Sequence, residues 1–147
     1  MTTVAELIHQ HGLVWTVKPD DTVYHALEIM AEKDIGAVLV VGPDGLVGIL
    51  SERDYARRGI LLGRASKETM VRDIMTTSLY SVQPDHSLDR CMSLMTNKHV
   101  RHLPVVDAQG ALVGVVSIGD VLKTIIREQQ EHINRLALRE TGHVVLD

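Results

Sequence analysis

The chain carries the same sequence pattern twice. Positions 14–22 read VWTVKPDDT and positions 79–87 read LYSVQPDHS, while positions 46–54 read LVGILSERD and positions 112–120 read LVGVVSIGD. A period of roughly 65 residues is longer than the unit of a solenoid, which spans about 20 to 50 residues. The pattern therefore predicts two copies of one small domain that complete each other, with functional residues at equivalent positions of both copies.

The size of one copy predicts that the two halves depend on each other for stability. The chain has 147 residues, of which 45% are hydrophobic, so a real core is expected. A lone half of about 65 residues would bury too little surface to be comfortably stable. Aromatic residues make up only 3% and Phe is absent, so this core must be aliphatic and rich in methionine.

Charge and cysteine content narrow the function classes. The formal net charge is -4 with no long run of one sign, which argues against a general nucleic-acid binder because such a protein needs a basic face. The single cysteine, Cys91, excludes an internal disulfide framework and fits a reducing compartment. No segment resembles a signal peptide or reaches transmembrane length. We therefore expect a soluble, cytoplasmic protein with neither a nucleic-acid nor a membrane partner.

Hydrophobic periodicity predicts the order strand, helix, strand, strand, helix in each copy, which is an α/β (α+β) fold. Segments 18–22 and 83–87 contain Pro-Asp and offer helix caps. Apolar residues then recur with the i, i+3, i+4, i+7 spacing of a helix face, and two short apolar runs around a glycine-containing turn predict a hairpin. The predicted helix faces are Val23, Ala26, Leu27 and Met30 in the first copy, and Leu88, Cys91, Met92 and Met95 in the second.

The flanking segments predict further helices. Residues 4–8 and 71–75 resemble each other and read as short helical turns that precede each copy. After the second copy, the last helix is expected to continue with a sparse apolar stripe, to end at Gly142, and to be followed by a mobile tail. The stripe consists of Ile125, Ile133 and Leu136.

Each copy joins a buried-looking strand to a helix through Ser-x-x-Asp, at Ser51–Asp54 and at Ser117–Asp120. One interpretation is a helix capping box, in which the serine hydroxyl accepts from a backbone N–H and the acidic residue bonds back. The other is a nucleotide site, because a strand-to-helix junction presents N–H groups and the positive end of the helix dipole. There the carboxylate would accept both ribose hydroxyls, with phosphate displaced toward the serine and an arginine. The sequence leaves both interpretations open.

The two copies differ in their cations. Arg53 lies inside the first Ser-x-x-Asp turn, where phosphate binding and a solvated position are both open. Arg101 and His102 begin a strand of the second copy, where the first copy has Gly36 and Ala37. This asymmetry predicts two sites that are not identical.

The sequence offers no catalytic centre. Cys91 lies on an apolar helix face, which is typical of a packed core thiol. The histidines have no cysteine or carboxylate companions at metal-ligand spacing, so no metal site is expected. Neither a P-loop nor a Gly-x-Ser-x-Gly elbow is present. We therefore expect no enzyme activity.

The residues resemble the CBS domain, named after cystathionine β-synthase. The resemblance rests on Val-x-Pro-Asp-x-Thr/Ser, a helix, His-Leu-Pro-Val-Val-Asp, a hairpin glycine, Leu-Val-Gly-Val-Val-Ser and a closing Asp. The pattern occurs twice in this order, although the first copy has Ala37-Val38-Leu39 in place of His-Leu-Pro. Two such domains form a CBS pair, or Bateman module. This implies a three-stranded sheet and two helices per copy, related by a pseudo-twofold axis. The implied domains are 4–63 and 71–127, with a linker at 64–70 and a C-terminal helix extension and tail at 128–147.

The resemblance implies that two clefts between the copies bind an adenine nucleotide. AMP comes first among the expected ligands, with ADP, ATP, NAD and S-adenosylmethionine as further candidates. The two sites should differ in affinity, because the copies differ around the closing Asp and at the start of the adenine strand. Carried over by position, the site residues are Asp54 and Asp120 for the ribose hydroxyls; Ser51 and Ser117 for ribose or phosphate; Arg53 and Arg101 for phosphate; Ala37, Val38, His102, Leu103 and Pro104 around adenine; and Thr16, Val17, Ser81 and Val82 on the opposite wall.

The resemblance to stand-alone CBS-pair proteins also implies a homodimer that regulates without chemistry of its own. Such a module changes shape or rigidity when it binds a nucleotide and passes the change to a protein partner, which the sequence does not identify. The alternative is a structural or interaction protein with no physiological small ligand. In that case Ser-x-x-Asp only caps helices and the dimer surface is the function.

Overall fold

The computed structural model describes residues 2–9 and 14–141. Its elements follow the predicted order in the first half, whereas the second half lacks the first strand. The helices are α1 (Val4–His9), α2 (Val23–Lys33), α3 (Glu52–Asp54), α4 (Val71–Ile74), α5 (Leu88–Lys98) and α6 (Ile118–Thr141), and the strands are β1 (Thr16–Val17), β2 (Ala37–Gly42), β3 (Gly45–Ser51), β4 (His102–Val106) and β5 (Leu112–Ser117).

The first half contains a three-stranded sheet in the order β1-β2-β3. β1 pairs with β2 in parallel, and β2 pairs with β3 in antiparallel orientation through a tight hairpin. Gly45 in this hairpin has φ of 119°, a conformation that side chains with a Cβ rarely adopt. The register shifts between Val40 and Val41, which marks a β-bulge.

The second half repeats the hairpin but not the full edge strand. β4 and β5 are antiparallel, and the register shifts at the equivalent position, between Val105 and Val106. The third strand that the sequence predicts is reduced to one parallel bridge, between Val82 and Val105. A proline explains the difference: in the first half the Leu39 N–H donates to the Trp15 carbonyl, whereas the equivalent residue, Pro104, has no N–H.

Helices α2 and α5 are matched in their caps and in their buried faces. Thr22 and Ser87 each accept a hydrogen bond at their side-chain oxygen from the backbone N–H three residues later, at 3.1 and 3.2 Å. Both helices end at a residue with positive φ, Asp34 and His99. The predicted faces are confirmed, since the buried residues are Val23, Ala26 and Met30 in α2, and Leu88, Cys91 and Met95 in α5.

The hydrophobic core of each half contains a short helix that precedes the other half in sequence. Val4 and Leu7 of α1 lie in the core of the second half, whereas Val71 and Ile74 of α4 lie in the core of the first half. Backbone bonds fix both crossings: the Val4 N–H donates to a second-half carbonyl at 2.9 Å, and the Val71 N–H donates to a first-half carbonyl at 2.8 Å. The predicted interdependence of the halves thus has a direct structural cause.

A third apolar cluster joins the two sheets. Ala37, Leu39 and Ile49 of the first half are buried together, and Leu112 and Val115 of the second half pack against them. This cluster lies between the two halves, which are related by a pseudo-twofold axis. Two clefts flank this contact.

The helices that follow the two hairpins differ in length. α3 continues through a π-helical turn, Tyr55–Gly59, and a 3-10 turn, Ile60–Leu62, and the chain then leaves the helix at Gly63 with φ of 72°. α6 runs without interruption to Thr141. The predicted helix end at Gly142 and the tail lie outside the described residues.

Candidate functional site: two clefts between the halves

The first cleft, which we call the Asp54 cleft, has a volume of about 480 Å³. Its floor is the junction of β3 with α3, and its opposite wall comes from the segments that precede and begin β4. The lining residues are Gly36, Ile49, Ser51, Glu52, Arg53, Asp54, Thr76, Ser78, Leu79, Tyr80, His99, Val100, Arg101 and His102.

The second cleft, the Asp120 cleft, has a volume of about 620 Å³. In this cleft the second half provides the carboxylate, from α6, and the first half provides the opposite wall, from the segment around the start of β2. The lining residues are Trp15, Lys33, Asp34, Ile35, Gly36, Ala37, Val38, Leu39, Ile49, Arg101, His102, Val115, Ser117, Ile118, Gly119, Asp120 and Lys123.

Both Ser-x-x-Asp segments form the predicted capping box. In the first, the Asp54 N–H donates to Ser51 Oγ and the Ser51 N–H donates to Asp54 Oδ2, both at 3.0 Å. In the second, the Asp120 N–H donates to Ser117 Oγ at 3.1 Å and the Ser117 N–H donates to Asp120 Oδ2 at 3.2 Å. The box thus holds each carboxylate in the lining of its cleft.

The capping bonds leave the Asp54 cleft able to bind a ligand. Asp54 Oδ1 accepts from the Thr76 hydroxyl at 3.0 Å, and Oδ2 accepts from the Ser51 N–H. Each carboxylate oxygen has two lone pairs, so each retains one, and the Ser51 hydroxyl proton is not used by the cap. A capped carboxylate can therefore still accept hydroxyl groups from a ligand. Thr76 was not predicted as a site residue, because it follows α4 and bonds to Ile49 of β3 only in the folded chain.

The cations of the clefts differ sharply between the two halves. Arg53 and Arg101, from different copies, both line the Asp54 cleft. The charge of Arg101, then that of Arg57, lowers the pKa of Arg53, and within residues 2–9 and 14–141 neither cleft guanidinium forms an ion pair. In the Asp120 cleft the equivalent positions are Gly119 and Gly36, but Lys33, Lys123 and Arg101 line it. The Asp54 cleft thus has two guanidinium groups, whereas the Asp120 cleft has one guanidinium and two ammonium groups.

An aromatic ring lines each cleft at equivalent positions, and this feature was missed by the sequence analysis. Trp15 lines the Asp120 cleft and Tyr80 lines the Asp54 cleft, and each is 37% exposed. The ammonium group of Lys33 lies 4.4 Å from the Trp15 ring centroid, and that of Lys98 lies 5.4 Å from the Tyr80 centroid. The repeat itself carried the signal, since both the aromatic and the lysine recur at the same offset.

The structure brings most of the predicted site residues to the clefts. Those that line a cleft are Ala37, Val38, Ser51, Arg53, Asp54, Arg101, His102, Ser117 and Asp120. The other six predicted residues are absent from both linings; Val17, Val82, Leu103 and Pro104 are buried, and Thr16 and Ser81 are exposed elsewhere. The residues that line the clefts in these segments are Trp15 and Tyr80, each one position before the predicted Thr16 and Ser81.

Residues outside the clefts show little reactive chemistry. Cys91 is buried in the second core, and burial raises the pKa of its thiol, which matches the predicted core role. In the described part of the chain, no three His, Cys, Asp or Glu side chains are grouped so that they could hold a metal ion. Over the same residues, no helix has both the length and the apolar character needed to cross a membrane.

Comparison with known proteins identifies the family. The CBS domain matches residues 3–60 and again residues 71–127. The chain belongs to the CBS domain family. It is 40% identical over 146 residues to the CBS domain-containing protein CBSX3, mitochondrial, of Arabidopsis thaliana, covering 92% of this chain and 70% of that protein.

Solved structures of CBS-domain proteins share the fold. A putative signal-transduction protein with CBS domains from Burkholderia ambifaria MC40-6 superposes with a TM-score of 0.81 and 48% identity, covering 87% of this chain and 96% of that one. The structure of CBSX2 in complex with AMP superposes with a TM-score of 0.70 and 28% identity, covering 88% and 99%. The CBS pair fold is thereby established for this chain.

Proposed function

We propose that this CBS pair is a regulatory module that binds an adenine nucleotide, with AMP as the first candidate, in the Asp54 cleft. The observation that carries the proposal is the pairing of two guanidinium groups, Arg53 and Arg101, beside a capped carboxylate, Asp54. Such a site offers an acceptor for ribose hydroxyls and a cationic pair for phosphate. A CBS-domain protein of the same fold, CBSX2, has been solved with AMP.

Each part of a nucleotide has a counterpart in this cleft. Ribose hydroxyls would donate to the remaining lone pairs of Asp54, and the Ser51 hydroxyl would donate to ribose or phosphate. The phosphate would lie between Arg53 and Arg101, where it relieves their mutual repulsion. The base would pack on the apolar wall formed by Leu79 and its neighbours.

The charge of the cleft ranks the candidate ligands. AMP, ADP, ATP and NAD all carry phosphate, which the paired guanidinium groups of Arg53 and Arg101 favour. S-adenosylmethionine carries a positive sulfonium next to its ribose, which the same guanidinium groups repel. We therefore rank phosphorylated ligands above S-adenosylmethionine in the Asp54 cleft. The Asp120 cleft lacks the guanidinium pair, but Lys33, Arg101 and Lys123 line it, so it also favours a phosphorylated ligand.

Signalling would follow from the way the clefts are built. Each cleft takes its carboxylate from one half and its opposite wall from the other, so a bound nucleotide bridges the halves. A ligand that binds one relative arrangement better than another shifts the population toward it. A downstream protein that recognises that arrangement would read the signal, and the chain itself would carry out no reaction. The cytoplasmic location remains a prediction.

We also propose that the module is a homodimer that uses the exposed apolar face of α6. The predicted stripe is wrong at Ile125, which packs against the second core. The exposed apolar residues are spaced by four, seven and three positions, as at the a and d positions of a coiled coil; they are Leu122, Ile126, Ile133 and Leu136, which we call the α6 stripe. A free helix with this spacing is complementary to a copy of itself, which suits a twofold dimer. Ile60, equivalent to Ile126, is also exposed, so the apolar surface extends to both halves.

The alternative function, an interaction protein without a small ligand, is favoured by one observation. Both Ser-x-x-Asp segments complete their capping boxes within the chain, so helix capping alone gives these residues a role. The two functions make different predictions for a conservative change at Asp54, because a cap tolerates an amide oxygen as acceptor whereas ribose binding loses a charged acceptor.

The deciding experiment is calorimetric titration of purified, nucleotide-free protein with AMP and with adenosine, for the native chain and the Asp54→Asn variant. If the module is a sensor, AMP binds and Asp54→Asn weakens binding by about 10-fold or more. The matched control is Thr22→Ala, which removes a helix cap outside both clefts and should lower stability without changing AMP affinity. Absence of binding by AMP, and then by ADP, ATP and NAD, to the native chain would contradict the sensor and favour the alternative.

A further inference from the structure

We propose that the two clefts are coupled through His102, so that a phosphorylated ligand in one cleft weakens binding in the other. This inference rests on the proposed nucleotide binding. Its starting observation is that His102 and Arg101 line both clefts, although the two carboxylates that define the clefts belong to different halves. The two sites are therefore not independent surfaces but share a wall.

The position of His102 connects that wall to both capped helices. His102 opens β4 directly opposite Ser117, the cap residue of α6. The preceding carbonyl, of Arg101, accepts from the first N–H of α6 at 2.8 Å. On the other side, a Cβ built on Gly36 would lie 3.9 Å from His102 Nε2 and 3.6 Å from a Glu52 carboxylate oxygen, so the ring points into the seam between the halves.

The electrostatic surroundings of His102 also join the clefts. Burial lowers the pKa of its imidazole, while Asp120 and then Asp54 act in the opposite direction and Arg101 reinforces the lowering. The ring thus interacts with both cleft carboxylates at once. With its pKa below the usual value of about 6.5, the ring is neutral at neutral pH and has a single N–H to donate.

A single donor and a single shared guanidinium cannot serve two phosphates equally. The first ligand would take the His102 N–H and the charge of Arg101, and a second phosphate would then enter a cleft with fewer donors and an anion nearby. We expect the affinity of the second site to fall by about 5-fold or more, which is within the usual range of coupling between sites.

The only tryptophan of the chain allows each cleft to be followed separately. Trp15 lines the Asp120 cleft, so its fluorescence reports occupancy there. AMP is titrated into the native chain and into Asp54→Asn, in which the other cleft is weakened. Coupling predicts that the Trp15 midpoint moves to about 5-fold lower AMP in Asp54→Asn. In a His102→Asn background the same change should move the midpoint by a clearly smaller factor, because Arg101 is then the remaining shared group.

His25→Asn is the matched control. His25 is an exposed residue of α2 and lines neither cleft. The midpoint difference should persist in that background. If both clefts fill in calorimetry but the Trp15 midpoint is the same in the native chain and Asp54→Asn, the coupling is refuted while nucleotide binding stands. If AMP fills only one cleft, the coupling is also refuted, whereas no binding at all refutes the proposed function itself.

Discussion

The guanidinium of Arg101 is the largest cause of the lowered pKa of Arg53, although 48 positions of sequence and the boundary between the halves separate the two residues. The two charges meet only because the second half folds its β4 edge over the end of β3. In the described part of the chain, neither guanidinium forms an ion pair. The fold therefore places two guanidinium groups at the Asp54 cleft, whereas the Asp120 cleft combines Arg101 with Lys33 and Lys123.

Replacement of Arg101 by Gln should separate phosphate recognition from nucleoside recognition. Loss of one charge-assisted hydrogen bond to phosphate should weaken AMP binding by about 10-fold and leave adenosine binding nearly unchanged. Calorimetry at two salt concentrations measures both, and the salt dependence of AMP binding should also decrease. Arg127→Gln on the exposed face of α6 serves as the control. Equal losses for AMP and adenosine would contradict a role in phosphate binding.

His102 should make the stability of the folded protein depend on pH. Because burial lowers its pKa in the folded state, the unfolded chain binds the proton more readily. The free energy of unfolding should be highest above the unfolded-state pKa of about 6.5 and should decrease as the pH falls below it. Urea denaturation across this range measures the slope. A His102→Gln variant should show a smaller slope, and an unchanged slope would contradict the assignment.

Two glycines near the Ser-x-x-Asp segments, Gly48 and Gly119, should respond oppositely to replacement by alanine. A Cβ on Gly48 would lie 2.7 Å from Met75 Sδ and 2.9 Å from the Thr76 carbonyl oxygen, so Gly48→Ala should cost about 1–3 kcal/mol. A Cβ on Gly119 would meet nothing closer than Ser117 Oγ at 3.7 Å, and the position is helical. Gly119→Ala should therefore stabilise the protein by up to about 1 kcal/mol. Urea unfolding of both variants tests the pair.

A charge in the middle of the α6 stripe should abolish the proposed dimer. Ile133→Glu places a carboxylate where two apolar side chains would meet, so light scattering after gel filtration should give the mass of a monomer. Gln130→Glu, an exposed change away from the stripe, should leave the dimer intact. A dimer that survives Ile133→Glu would show that α6 does not form the interface.

Much of the fold could be predicted because the same sequence pattern occurs in both halves. The helix faces of α2 and α5 and the two hairpins follow from apolar spacing, which depends on neighbours in sequence. The exchange of α1 and α4 could not be predicted, because it depends on contacts between residues far apart in the chain. The reduced third strand of the second half could have been predicted, since Pro104 removes a donor from the ladder.

The candidate site was predictable where local geometry defines it. Ser51, Asp54, Ser117 and Asp120 are fixed by a strand-to-helix junction that a four-residue motif encodes. The walls opposite the carboxylates come from the other half. There the sequence predicted Thr16 and Ser81, whereas the preceding residues, Trp15 and Tyr80, line the clefts. Whether a side chain at the end of a two-residue strand faces a cleft or the core is decided by packing.

The exchange of helices α1 and α4 has a consequence for how the gene of this protein can be divided. Each half provides most of the residues of one core, and the remaining helix of that core comes from the segment that precedes the other half. A break of the backbone within positions 64–70 would therefore leave two fragments that remain clasped to each other. A gene fragment that encodes a single copy would give a protein with an incomplete core and a helix that has no core to pack against. In evolution the two copies are therefore expected to be duplicated, transferred or lost together.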